Sequence, residues 1–132
     1  MILVDTNVLV DVLRADATWL RWSVAQLRQA RLENSLCINL VVYAELCAHE
    51  DTGLRLDDFL LDQAIDVRNL TRGAARLAAL AFAAYRNSNG TRTGVLPDFF
   101  IGAQAQAEGW TILTRDKARY KTYFPKVQLI CP

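Results

Sequence analysis

Short apolar runs alternate along the chain with longer segments in which apolar residues recur at helical spacing. The apolar runs predict strands at Ile2–Val4, Leu36–Asn39, Ala64–Val67, Thr111–Thr114 and Val127–Ile130. The segments between them predict helices at Asn7–Arg14, Thr18–Leu32 (with Thr18 as the N-cap), Val41–Ala48, Leu54–Leu61, Thr71–Arg86, Pro97–Glu108 and Asp116–Tyr123. Because buried strands that alternate with helices are typical of parallel sheets covered on both faces, the sequence predicts an α/β fold.

Length and composition restrict the class of protein. The chain has 132 residues, of which 52% are hydrophobic and 22% charged, so we expect one folded domain rather than a disordered chain. The net charge of +1 argues against a polybasic binder, and no apolar stretch approaches the roughly 18 residues of a membrane helix. The chain starts without a basic leader region. Its three cysteines match neither a C-x-x-C motif nor a zinc ribbon, so we expect them to be buried thiols in a reducing compartment. These features predict a cytoplasmic protein, and the single His excludes zinc sites built on several His residues.

Four acidic residues stand at the ends of predicted buried elements. Asp5 ends the first strand, Glu45 lies in the helix after the second strand, Asp98 lies in the first turn of the helix that begins at Pro97, and Asp116 follows the fourth strand. Function in open parallel sheets collects at the carboxyl ends of the strands, so we expect these carboxylates to converge. An all-oxygen ligand set suits Mg²⁺ or Mn²⁺, which assist hydrolysis of phosphodiester bonds.

Two of these acids also have ordinary structural interpretations. Asp116 is placed to cap the helix that follows it, and Asp98 is placed to stabilise the dipole of its own helix. Glu45 and Asp5 are harder to explain in this way, because an unpaired buried carboxylate is costly. The sequence therefore favours a metal site while leaving both structural roles open.

Four sequence segments carry a family resemblance. The segments MILVDTNVLVD, LVVYAEL, PDFFIGAQA and TILTRD follow one another in an order that resembles the PIN-domain ribonucleases, and in particular the VapC-like toxins of toxin–antitoxin pairs. The resemblance covers essentially the whole chain and implies a single PIN domain over residues 1–132, with a parallel sheet of order 3-2-1-4-5. It also implies a Mg²⁺-dependent endoribonuclease, inhibited by a cognate antitoxin and assembled as a homodimer.

The resemblance implies a role for each acidic position. Asp5 and Asp98 would be the primary metal ligands, and Glu45 and Asp116 would complete the site. The small polar positions beside these acids are Thr6, Asn7 and Thr114.

The remaining polar residues receive more modest expectations. Asp11 is expected on the surface, and His49 at the periphery without a catalytic role. Trp19 and Trp22 are expected in the core or at an interface. Between residues 68 and 126 there are ten basic and three acidic residues, which favours an RNA-binding surface there. The candidates for contacts with RNA phosphates are Arg86, Arg92, Arg115 and Lys117.

Three other functions are alternatives to a toxin nuclease. A signalling receiver domain has a similar length and clustered Asp residues, but it needs a Lys after its last strand, and this chain has none there. A PIN scaffold that binds without cutting would lack one of the four acids, and none is missing. A housekeeping PIN nuclease without an antitoxin is the third alternative.

Overall fold

A computed structural model describes residues 1–49, 53–94 and 96–132. Its strands are β1 (Ile2–Val4), β2 (Leu36–Asn39), β3 (Ile65–Arg68), β4 (Thr111–Leu113) and β5 (Leu129–Ile130). Its helices are α1 (Thr6–Leu13), α2 (Leu20–Glu33), α3 (Leu40–His49), α4 (Gly53–Asp62), α5 (Arg72–Asn87), α6 (Pro97–Glu108) and α7 (Ala118–Tyr123). Every predicted element is present, and no end differs from its prediction by more than two residues. Of the acidic stretch after Glu45, Glu50 and Asp51 lie outside the described residues, as does Val95 of the predicted polar loop.

The strands form one parallel sheet in the order β3-β2-β1-β4-β5. This is the predicted order, and it differs from the 2-1-3-4-5 order of receiver-type folds, which excludes the receiver alternative. In the centre, β1 pairs with β2 on one side and with β4 on the other, with Val4 opposite Leu113. The carboxyl ends of β1 and β4 therefore lie side by side.

The central strand is buried on both faces, which explains its uninterrupted apolar sequence. Leu3 and Val4 have no exposed surface, and Ile2 is 4% exposed. Burial of one such side chain contributes about 1.5–3 kcal/mol, so the strand that precedes Asp5 is a rigid support. Helix α1 packs against α2 and α3, and α6 packs against α5, α3 and α7.

Helix α6 carries Asp98, and half of its twelve residues are buried. It begins at Pro97 and ends at Gly109, whose φ of 68° is the left-handed conformation that favours glycine. Inside the helix, a Cβ on Gly102 would lie 2.2 Å from the ring of Phe124. Glycine therefore allows the chain after α7 to pack directly on α6.

The predicted N-cap of the second helix is wrong. Helix α2 begins at Leu20 with Trp19 as its N-cap, and Thr18 lies one residue earlier. The carboxylate of Asp16 accepts hydrogen bonds from the backbone N–H groups of Thr18 and Trp19, at 2.9 and 2.8 Å. Asp16 thus satisfies the free N–H groups before the helix, and Thr18 does not.

The expectation that all three cysteines are buried is only partly correct. Only Cys37 is fully buried, whereas Cys47 and Cys131 are partly exposed, and all three are free thiols. Among the described helices, none has the length and apolar composition needed to cross a membrane.

Candidate active site

Three of the four candidate acids line one cleft at the carboxyl edge of the sheet. Asp5 enters it directly after β1, Glu45 from α3, and Asp98 from the first turn of α6. The cleft has a volume of about 290 Å³. Its other walls are Thr6, Asn7, Val10, His49 and Arg115. The structure therefore brings together Asp5, Glu45 and Asp98, which are far apart in the sequence.

Asp5 is buried and held by uncharged donors. Its Oδ2 accepts hydrogen bonds from Asn7 Nδ2 at 2.8 Å, Thr114 Oγ1 at 2.6 Å and the hydroxyl of Tyr120 at 3.2 Å. All three donors converge on Oδ2, so Oδ1 makes none of these side-chain bonds. The carboxyl is thus fixed in position without a positive charge beside it.

Burial raises the pKa of Asp5 from 3.8 to about 6. Loss of hydration is the largest cause, and the negative charge of Asp98 raises the pKa further. The bonds from Thr114 and Tyr120 oppose the shift without cancelling it. The protein therefore leaves the negative charge of Asp5 without full compensation.

Asn7 and Thr114 hold the ends of β1 and β4 together. Asn7 donates to both Asp5 and Thr114, and it accepts the backbone N–H of Arg115 at 3.0 Å. Thr114 Oγ1 in turn accepts the backbone N–H of Asp116 at 3.0 Å. These two side chains position the segment that carries Asp116 relative to Asp5.

The position of Glu45 depends on where α3 begins. The side chain of Asn39 at the end of β2 accepts the backbone N–H groups of Val41 and Val42, at 3.1 and 3.0 Å, which caps the helix. Glu45 lies further along this helix and accepts a hydrogen bond from the hydroxyl of Thr6. The structure therefore brings two predicted site residues, Thr6 and Glu45, into direct contact.

Asp98 forms an ion pair with Arg119, a residue that the sequence did not single out. Nη1 of Arg119 lies 2.9 Å from Asp98 Oδ2, and the two side chains are 36% and 34% exposed. Burial raises the pKa of Asp98, Arg119 lowers it, and the charge of Asp116 raises it, with a net upward shift. Arg119 thus compensates only part of the negative charge at Asp98.

Asp116 stands apart from the other three acids. Its side chain is exposed and does not line the cleft, and its Oδ1 accepts the backbone N–H of Ala118 at 3.1 Å, at the start of α7. The N-cap of α7 is Lys117, so Asp116 does not occupy the capping position that the sequence left open for it. It binds one N–H group at the start of the helix from the residue before the N-cap. Its charge still reaches the site, because it contributes to the raised pKa of Asp98.

The expectation that Asp11 lies on the surface is wrong. Asp11 is 1% exposed and accepts a hydrogen bond from Ser23 at 2.6 Å. Arg115 Nε lies 2.9 Å away in an ionic contact whose N–H does not point at the oxygen, and the guanidinium also lies 5.1 Å from the ring centre of Trp19. Asp11 therefore joins α1 to α2 and to the chain after β4.

The candidates for phosphate binding have different surroundings. Arg115 lines the cleft, whereas Arg86 donates to the carbonyl oxygen of Arg92 at 2.7 Å and Lys117 to that of Pro132 at 3.2 Å. Arg92 is exposed in the loop before α6. Of the four, Arg115 alone is among the residues that line the cleft.

Two residues at the site were missed, Tyr120 and Arg119, and His49 was placed correctly only in part. Tyr120 is 1% exposed, and burial raises the pKa of its hydroxyl well above 10, so it remains a proton donor to Asp5. Both residues lie outside the four segments that carry the family resemblance. Helix α7 is only six residues long, so its sequence does not show which of its faces meets the site. His49 is exposed, as expected, but it lies on the wall of the cleft.

The chemistry of the cleft fits a hard divalent cation. Its acidic ligands offer oxygen only, and the raised pKa values of Asp5 and Asp98 show negative charge that neighbouring side chains leave partly unbalanced. Within the described residues, no three His, Cys, Asp or Glu side chains are close enough as placed to share one ion. Asp98 is turned toward Arg119 and Glu45 toward Thr6, so binding would require Asp98 to exchange partners.

Comparison with known proteins identifies the family. The PIN domain family matches residues 2–125, and the chain belongs to this family of nucleases. No curated relative matches the chain by sequence.

Solved structures share the fold over nearly the whole chain. The VapBC2 complex of Rickettsia felis, bound to a DNA fragment from its promoter, has 18% identity and a TM-score of 0.76, with 100% of this chain and 99% of that chain covered. FitAcB from Neisseria gonorrhoeae has 25% identity and a TM-score of 0.69, with 98% and 96% covered. The DNA-bound VapBC of Salmonella typhimurium has 15% identity and a TM-score of 0.74, with 98% and 96% covered.

Proposed function

We propose that this chain is a single PIN domain over residues 1–132 that acts as a Mg²⁺-dependent endoribonuclease. The observation that carries the proposal is the cleft in which Asp5, Glu45 and Asp98 meet. A buried carboxyl with neutral donors alone, as at Asp5, is poorly suited to a purely structural role, because its charge destabilises the fold. The same arrangement is suited to holding a cation and, beside it, a phosphate.

Each residue then has a defined task. Asp5 and Asp98 are the principal cation ligands, and Glu45 and Asp116 complete the negative site. Thr6 orients Glu45, and Asn7 and Thr114 hold Asp5. When bound, Mg²⁺, or Mn²⁺ in its place, supplies positive charge to the phosphoryl oxygens and makes water a better nucleophile.

The RNA strand approaches over the basic half of the chain. Arg115 is held beside the cleft by Asp11 and Trp19, so its guanidinium is already positioned for a phosphate. Arg86, Arg92 and Lys117 are proposed as more distant phosphate contacts. Such contacts position the strand and do not read its bases.

A Mg²⁺-titrated cleavage assay on single-stranded RNA tests the proposal. We expect cleavage that EDTA abolishes, and we expect Asp5→Asn to reduce it by at least roughly 100-fold. Asp58→Asn is the matched control, because it removes the same charge from an exposed position of α4 and should cleave normally. A folded wild-type chain that binds RNA without cutting it would favour the scaffold alternative, and equal cleavage by wild type and Asp5→Asn would indicate a contaminating nuclease.

We further propose that the nuclease is the toxin of a toxin–antitoxin pair. The structural relatives include VapBC and FitAB complexes and a toxin–antitoxin complex from Klebsiella pneumoniae. An apolar groove on α2, formed by Leu20, Val24 and Ala25 between Arg21 and Arg28, suits an amphipathic antitoxin segment with acidic flanks.

Co-purification tests the toxin assignment. We expect the product of the adjacent upstream reading frame to bind the chain and to suppress cleavage. We also expect the chain itself to be a homodimer, which light scattering measures. A neighbouring gene product that neither binds nor inhibits would favour a housekeeping nuclease.

A further inference from the structure

Arg119 occupies a place that the proposed cation would need. Its Nη1 lies 2.9 Å from Asp98 Oδ2, and its guanidinium carbon lies 5.9 Å from the ring centre of Phe99, the residue after Asp98. Among the described residues, it is the only basic side chain that forms an ion pair with any of the four candidate acids. The guanidinium thus lies between the acidic cleft and an aromatic surface.

The ion pair is placed to be exchanged. Both side chains are about one third exposed, and pairs with that much solvent contact hold weakly. Arginine does not lose its proton at any working pH, so a change of pH does not release Asp98 from it. A divalent cation, which carries twice the charge and needs the same oxygen, is the natural competitor.

The displaced guanidinium remains beside the site. Helix α7 holds the backbone of Arg119 next to α6, and the ring of Phe99 offers the guanidinium of Arg119 a second contact. A planar guanidinium with free N–H groups binds phosphate well, often through two hydrogen bonds. The positive charge that is paired with Asp98 in the metal-free protein is therefore available to RNA in the metal-bound one.

We propose that Arg119 is an internal counter-ion of the site, which holds Asp98 until a divalent cation displaces it and which then binds a phosphate of the RNA. This inference rests on the proposed nuclease function. It gives Arg119 two successive partners, Asp98 in the absence of the divalent cation and an RNA phosphate in its presence.

Mn²⁺ affinity, measured by electron paramagnetic resonance on the full chain without RNA, tests the first half. Arg119→Gln should bind Mn²⁺ roughly 3- to 10-fold more tightly than wild type, because the competitor is gone. Arg119→Lys keeps the charge and should resemble wild type. Lys121→Gln, an exposed change two residues further along α7, controls for the general loss of a positive charge and should shift the affinity less than about 2-fold.

RNA binding tests the second half, with a fluorescent 2′-O-methyl RNA that resists cleavage. At saturating Mn²⁺, Arg119→Gln should weaken binding and make the salt dependence shallower by roughly one unit. Without Mn²⁺, wild type and variant should bind alike, because Arg119 is then engaged with Asp98. Lys121→Gln provides the same control here.

The outcomes of these measurements distinguish the counter-ion role of Arg119 from the proposed nuclease function. Unchanged or weaker Mn²⁺ binding by a folded Arg119→Gln chain overturns the counter-ion role, as does a loss of RNA affinity that is equal with and without Mn²⁺. If Asp98→Asn binds Mn²⁺ as tightly as wild type, the cation site itself is wrong, and the role of Arg119 fails with it. If Mn²⁺ binding behaves as expected but the protein never cuts RNA, the counter-ion role stands and the nuclease assignment fails.

Discussion

Two buried carboxylates, six residues apart at the start of the chain, have opposite surroundings. Asp11 is 1% exposed and meets the guanidinium of Arg115 and the hydroxyl of Ser23. Asp5 is 4% exposed and meets only amide and hydroxyl donors. The protein thus balances the charge of the acid that joins α1 to α2 and leaves the charge of the other acid open. The contrast separates a structural acid from a candidate ligand more clearly than burial does.

The largest expected effect is a gain of stability on removing Asp5. Its folded pKa of about 6 exceeds the ordinary 3.8, so the contribution of Asp5 to stability is greatest below pH 4 and is lost as pH rises toward 6. Asp5→Asn lacks this loss and keeps an oxygen for the three donors. In EDTA at pH 7.5 the variant should be more stable by up to about 3 kcal/mol, with the gap closing by pH 4.

Urea unfolding across this pH range measures the difference. Asp58→Asn should track wild type at every pH. A variant at Asp5 that is less stable than wild type at pH 7.5 would show that the carboxylate holds the fold together, which would erase the contrast with Asp11.

Removing the other carboxylate should have the opposite sign. Asp11→Asn leaves the guanidinium of Arg115 without its ionic partner and weakens the bond to Ser23. Loss of one partner of a fully buried pair costs about 3–5 kcal/mol, and partial exposure of Arg115 reduces our expectation to about 2 kcal/mol. Chemical denaturation at pH 7.5 measures this loss, and a variant as stable as wild type would place Asp11 among the dispensable acids.

The smallest effects come from deleting one hydroxyl at each carboxylate. Ser23→Ala and Tyr120→Phe each remove a donor, and each should cost about 1 kcal/mol. Tyr120→Phe should also raise the pKa of Asp5, because the hydroxyl favours its charged form. Carbon-detected NMR titration of Asp5 follows that shift, and an unmoved midpoint would mean that the 3.2 Å contact contributes nothing to the charged carboxyl.

The sequence was sufficient for the sheet and insufficient for the partners of its acids. The strand order followed from the family resemblance, and the ends of most elements shifted by one or two residues. At the start of α2 the shift has a visible cause, because Asp16 binds the free backbone N–H groups there. Asp11 was misplaced because helical spacing does not distinguish a solvent face from a face covered by a second helix, although its apolar neighbours on both sides were a signal. Arg119 was not foreseeable, since its contact with Asp98 spans 21 residues and depends on the direction of a six-residue helix.

The central position of β1 affects how the protein is made. This strand leaves the ribosome before the other four strands, yet its neighbour β4 begins at residue 111, and the donors Thr114 and Tyr120 lie 109 and 115 residues from Asp5. Pairings this distant in sequence close slowly and late. A nascent chain that has not passed residue 120 exposes one edge of its central strand and cannot assemble the cleft. Translation that stops early therefore yields an inert chain with an open sheet edge, a target for proteases rather than a partially active product.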